Sequence, residues 1–195
     1  MSTQRERSWL SAELNRVSKP EPILCVKCVE PEGTFLREVR LANLSLENLQ
    51  RWWDNLKQFP TLFGGHIFSV DDFILTFVTI EDDGEIKAKG IVWEVDDVGI
   101  FYLTDIQPGF QASGHFSFWD RRLRGREDLC REALKYAFKE FKFHRITTYV
   151  PLHVIRIIPA VKKIGFVKEG RLRSASWYKG DWYDVFVFSI LEGEL

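Results

Sequence analysis

Residues 128–173 read DLCREALKYAFKEFKFHRITTYVPLHVIRIIPAVKKIGFVKEGRLR. Leu129, Ala133 and Ala137 fall on one helical stripe, with Cys130, Leu134, Phe138 and Phe141 beside it. Arg131, Lys135, Lys139 and Lys142 point elsewhere. That spacing predicts an amphipathic helix packed on a core. Ile146–Val150 reads as a strand. The apolar run that follows carries Pro159 and reads as a short second helix, because proline is tolerated in a first helical turn. Gly165-Phe166 then turns the chain into a final strand pair, in which Ser174–Tyr178 and Val185–Leu191 form a hairpin around Lys179-Gly180-Asp181.

Upstream the period changes. Residues Ser8–Val17 predict a short amphipathic helix, ended by Lys19-Pro20-Glu21-Pro22. Ile23–Val29 and Phe35–Leu41 read as partner strands across the Pro31-Glu32-Gly33 turn. Ser45 caps a helix running to about Gln58, with Trp52, Trp53 and Leu56 at helical spacing. Phe73–Ile80, Ile86–Val95 and Gly99–Ile106 predict a three-stranded antiparallel meander, with turns at Asp82-Asp83-Gly84 and Asp96-Asp97. His115–Asp120 is a fourth strand. Strands followed by helix, strand, helix and hairpin define a mixed α/β (α+β) sheet flanked by helices. Residues 1–33 form a helix-and-strand extension, and residues 34–195 the main domain.

The chain has 195 residues, 45% of them hydrophobic, enough for one domain with a substantial core. No run of about 18 apolar residues predicts a helix across a membrane. The start MSTQRERSWL lacks the apolar stretch of a secretory signal. Three cysteines offer no evident disulfide framework, which points to a reducing, cytoplasmic setting. Cys25-x-x-Cys28 sits in an alternating strand, which sends the two thiols to opposite faces, so no metal site is expected. The net charge of −1 hides an asymmetry: Asp120–Lys179 carries 16 Lys and Arg against 6 Asp and Glu. A basic half suits a polyanion, such as the phosphates of a nucleotide cofactor or a nucleic acid backbone.

Glu132-Ala133 with Phe141, His144-Arg145-Ile146, and Gly165-Phe166 with Glu169-Gly170 resemble motifs of the GNAT superfamily of N-acetyltransferases. The likeness is to the branch of ribosomal-protein N-terminal (alanine) acetyltransferases, and it spans roughly residues 35–193. The resemblance implies a single mixed, mainly antiparallel sheet. It also implies acetyl-CoA as co-substrate and a primary amine, of a peptide or small molecule, as acceptor. It places the cofactor at Phe118, Trp119, Arg121, Arg122, Arg124, Gly125 and Arg126, before the long helix. There backbone N–H groups and a helix N-terminus favour phosphate. Aligned through Glu132-Ala133, the family's two loop glycines fall on Arg126 and Asp128, leaving Gly125 one place early and four arginines to hold phosphate by side chain. Asp128 reads as an N-terminal helix cap. The family's pantetheine-side asparagine corresponds to Val154.

The same resemblance puts His115 at the family's base or amine anchor and Ser117 at an adjacent glycine position. Histidine suits base chemistry near neutral pH. Tyr178 is the candidate acid for the leaving thiolate. Asp184 matches an acidic position in the last strand and reads as structural. The acceptor groove is expected from Leu46–Gly65 and Trp177–Tyr183. The lost glycines and Val154 support an alternative, a GNAT-like domain that serves as a binding or structural module. In its narrower form the basic half binds nucleic acid.

Overall fold

A computed structural model of the chain describes residues 25–27, 38–63, 67–82, 86–95, 98–120 and 127–195. The strands are β1 (Cys25–Lys27), β2 (Glu38–Leu41), β3 (Val78–Ile80), β4 (Ile86–Ala88), β5 (Ile91–Val95), β6 (Gly99–Gln107), β7 (Gln111–Phe118), β8 (Arg145–Pro151), β9 (Val167–Tyr178) and β10 (Asp181–Leu191). The helices are α1 (Leu46–Leu56), α2 (Val70–Phe77), α3 (Glu127–Phe141) and α4 (Ile158–Ile164), with short 3₁₀ segments at Pro60–Leu62 and Leu152–Ile157. One eight-stranded sheet has the order β1-β2-β5-β6-β7-β8-β10-β9, and β3-β4 form a separate pair. All pairings are antiparallel except β7 with β8. This is the mixed, mainly antiparallel sheet with flanking helices that the sequence predicts. Among the described residues no helix is long and apolar enough to cross a membrane.

Alternation along β6 separates two cores. Phe101 and Leu103 face the layer of α3 and α4, and pack with Leu134, Ala137, Phe138, Ile164 and Phe166. Ile100 and Tyr102 face the layer of α1 and α2, and pack with Leu49, Trp52, Phe73 and Phe77. Successive side chains of a strand point to opposite faces, so one strand feeds both cores. The predicted stripe of α3 is buried as expected, Cys130 included. Ser45 caps α1, its side chain accepting from the Asn48 amide at 3.3 Å. Trp52, fully buried, donates its indole N–H to Glu94 at 2.6 Å, the partner a buried indole requires.

Three predictions are corrected. Phe73–Ile80 is not one strand: residues 70–77 are helical and only Val78–Ile80 is extended. The cause is a capping box. Ser69 accepts from the Asp72 amide, and the Asp72 carboxylate accepts from the Ser69 amide. Val70, Phe73, Ile74 and Phe77 then share the α1-facing side at helical spacing. Ile86–Val95 breaks at Lys89-Gly90, where the Lys89 amide donates to the Phe77 carbonyl at 2.8 Å. A Cβ at Gly90 would lie 3.2 Å from the Leu103 carbonyl oxygen. Asp128 lies inside the first turn of α3 rather than capping it, and pairs with Arg131 at 3.4 Å. The predicted N-terminal helix falls outside the described residues.

The final hairpin is longer than the sequence suggests, because β9 starts at Val167. Most of β9 is exposed, so there is no alternation of burial for a sequence to display. Gly165 closes α4 at φ 125°, and the Phe166 amide returns to the Val161 carbonyl at 3.2 Å. Only glycine adopts that backbone cheaply. Asp184 is structural, as predicted. It holds Arg171 and accepts from the Ser174 amide at 2.7 Å, pinning Ser174 at φ 47°.

Candidate functional site

The site begins where pairing stops. β7 and β8 share three parallel pairs, Gln111–Arg145, Ala112–Ile146 and Ser113–Thr147, and then diverge. Beyond Ser113 on β7 and Thr147 on β8, the two strands no longer meet. A cleft of about 1380 Å³ opens there and passes through the sheet. Its walls on one face are Glu127, Cys130, Val161 and Ile164; on the other they are Leu62, Phe63, Tyr102 and Trp177. β7 supplies His115, Phe116, Ser117 and Phe118, and β8 supplies Thr148, Tyr149 and Pro151.

The faces of β7 follow the expected alternation. Phe116 and Phe118 pack toward α3, with Phe116 stacked on Phe101 at 4.8 Å. His115 and Ser117 turn to the opposite face. The His115 ring stacks on Tyr102 at 4.7 Å, and its Nε2 lies 2.8 Å from the Thr104 Oγ1. Burial depresses the imidazole to about 4, against an opposing pull from the Asp105 carboxylate. His115 is therefore neutral at ordinary pH. Burial likewise raises the Tyr102 hydroxyl to about 12, opposed by its hydrogen bond with Ser117. Cys130, on the other wall, is held well above the usual thiol range by burial and then by the charge of Glu127, so it is inert as a nucleophile.

The remaining predicted residues divide. Phe118 lines the cleft and its ring lies across Gly99, where a Cβ would come within 2.1 Å of it. Trp119 donates its amide to the Val98 carbonyl at 2.9 Å, and its side chain packs against the α1–α2 core rather than lining the cleft. Arg121, Arg122, Arg124, Gly125 and Arg126 lie outside the described residues. Tyr178 is not among the residues that line the cleft. Its ring stacks on His153 at 4.3 Å and its buried hydroxyl has no hydrogen-bond partner among the described residues. Of the expected acceptor groove, Thr61–Phe63 and Trp177 reach the cleft.

Sequence reasoning missed Tyr102, Thr104 and Asp105. The signal was the register of the meander. Tyr102 pairs with His115 and Thr104 with Ser113 across β6–β7, so they share a face with His115.

An open, mainly antiparallel sheet that splits beside a parallel seam defines the class: the fold is that of the GNAT N-acetyltransferases, as the sequence resemblance implies. The ribosomal-protein-S5-alanine acetyltransferase of Vibrio fischeri superposes with a TM-score of 0.64 at 16% identity, over 88% of this chain and 98% of that one. A spermidine N-acetyltransferase from Vibrio cholerae, solved with CoA and spermine, gives 0.61 at 19% identity, over 80% and 96%. The curated relative YnaD of Bacillus subtilis, an uncharacterized N-acetyltransferase, is 26% identical over 164 residues, 84% of this chain and 79% of its own length. No protein-family model matches the chain.

Proposed function

We propose that the protein transfers an acetyl group from acetyl-CoA to a primary amine of a peptide or small molecule. One observation carries this reading: the β7–β8 seam opens after three pairs into a cleft that traverses the sheet. The freed strand edges offer backbone donors and acceptors to an extended, amide-bearing arm. The two mouths of the cleft can admit two molecules from opposite faces, so that a thioester and an amine meet near β7. Solved relatives of this fold hold CoA and act on amines of polyamines or ribosomal proteins. That supports the reading without choosing the acceptor.

The described residues suit the co-substrate in part. The wall of Cys130, Val161 and Ile164 is apolar and suits a thioester-bearing arm. Glu127 and Asp128 disfavour phosphate at the start of α3, although each is paired with a cation, Lys163 at 3.3 Å and Arg131 at 3.4 Å.

The reaction bonds the amine nitrogen to the thioester carbonyl carbon and breaks the carbon–sulfur bond. The amine proton passes to a base and from it, through solvent, to the departing thiolate, so that one proton moves from nitrogen to sulfur. His115, neutral and on the amine side, serves as that base. An imidazole of about 4 cannot strip a free ammonium efficiently. It takes the proton from nitrogen that has begun to bond to carbon and has become acidic. Proximity supplies the rest of the acceleration.

Isothermal titration with acetyl-CoA tests the reading. Saturable binding, followed by thiol release in the presence of a peptide or amine, is expected. No binding at millimolar ligand sinks it and leaves the binding-module alternative.

A further inference from the structure

β6 departs from regular pairing between Thr104 and Gln107, and Asp105 there has φ 50°. In a regular strand Thr104 and Asp105 would face opposite sides. The irregularity turns both toward the cleft, a known use of bulges. Aspartate tolerates this backbone better than most residues, at a cost of about 1 kcal/mol. The Thr104 Oγ1 lies 3.2 Å from the Asp105 Oδ2 and 2.8 Å from the His115 Nε2.

A hydroxyl has one proton. An ionised carboxylate only accepts. Thr104 therefore donates to Asp105, and its lone pair is left to accept from His115. Nε2 then carries the imidazole proton, and Nδ1 carries the lone pair.

We infer that Thr104 and Asp105 are positioning residues that fix His115 in the Nε2–H tautomer, leaving Nδ1 as the proton acceptor of the acetyl transfer. The inference rests on the acetyl-transfer reading for its catalytic meaning, but the tautomer does not depend on it. When Nδ1 takes the amine proton, the new positive charge is shared along the Nε2–H···Thr104···Asp105 chain. No proton passes to or from Asp105 in this step. This divides the labour as in a triad, with a hydroxyl inserted between imidazole and carboxylate.

The test is nitrogen-15 NMR of the imidazoles in the full chain, which has four histidines, with the His115 signals assigned by their loss in His115→Gln. The wild type is expected to show His115 as the Nε2–H tautomer at neutral pH. Asp105→Ala frees the Thr104 hydroxyl to donate to Nε2, so the signal moves to the Nδ1–H pattern. Thr104→Val moves it partly, and Thr104→Ser restores the wild-type pattern. An Nδ1–H tautomer in the wild type, or an unchanged tautomer in a folded Asp105→Ala, overturns the inference. In acetyl transfer, Asp105→Ala should lower kcat by at least about tenfold, with KM for acetyl-CoA unchanged. The loss should stay below the roughly 10,000-fold of a directly bonded triad carboxylate. If the wild type binds no acetyl-CoA yet shows the tautomer and its shift, the functional reading fails and the Thr104–Asp105 relay stands.

Discussion

β8 has two edges with opposite fates. Along one, seven residues from Arg145 to Pro151 pair antiparallel with β10. Along the other, only Arg145, Ile146 and Thr147 pair with β7, in parallel. Both edges belong to the same β-branched strand, so intrinsic propensity cannot separate them. The partners do. β10 follows β9 through a tight turn at Lys179 and Gly180, both at positive φ, and carries a fixed register to β8. β7 reaches β8 only through the long crossover of α3, and parallel pairing is slightly weaker per residue. One edge is thus framework, and the other is a row of backbone groups available to a ligand.

The sharpest way to break this contrast is His115→Ala on the open side. Acetyl transfer should fall about 100- to 10,000-fold while acetyl-CoA affinity, read by titration calorimetry, stays put. A folded variant with more than half its activity would reduce His115 to a strand residue. On the closed side Phe188 is fully buried and pairs with Thr148. Phe188→Ala should cost about 3–5 kcal/mol of stability in urea melts. The folded fraction should bind acetyl-CoA as before. A folded variant that lost affinity with little stability would mean that the two edges are coupled.

A third test uses pH. His115 sits at about 4 in the folded chain against an ordinary 6.5. Between those values the unfolded chain binds a proton that the folded chain refuses. Its contribution is therefore fully present above about pH 6.5 and lost as pH falls toward 4, by at most about 3 kcal/mol. Urea melts at several pH values should be flatter for His115→Gln across that window. The smallest effect belongs to Ser117→Ala, which removes the hydrogen bond to Tyr102 and should cost about 1 kcal/mol. Its rate should fall much less than that of His115→Ala. Equal losses would move the chemistry to Ser117.

The contrast between the two edges also marks what a sequence displays. The helix of residues 127–141, β8, the Gly165-Phe166 turn and the Lys179-Gly180 turn were legible, because each carries a local period or a backbone demand. So was the orientation of His115, since alternation along β7 fixes it once Phe116 and Phe118 are assigned to the core. α2 was not, because five apolar residues from Phe73 to Val78, interrupted only by Thr76, resemble a strand unless the Ser69–Asp72 capping box is given more weight. The Thr104–Asp105 pair was invisible for a different reason. It depends on an irregularity between β6 and β7, and no residue pattern announces a register shift. The place of Tyr178 beside His153 was invisible in the same way, because it is decided by a contact between distant segments.

The short seam has a mechanical meaning. Five strands lie on one side of it and three on the other, and the two leaves share only three strand pairs. It is the crease of a folded card. α3 runs behind the crease as a strap, because its buried stripe packs with Phe101 and Leu103 of one leaf and with Ile146 and Ile190 of the other. Bending about such a crease strains few hydrogen bonds, whereas bending between β5 and β6, β6 and β7, β8 and β10 or β10 and β9 would strain longer antiparallel ladders. Between β5 and β9 the softest motion is therefore the one that changes the width of the gap.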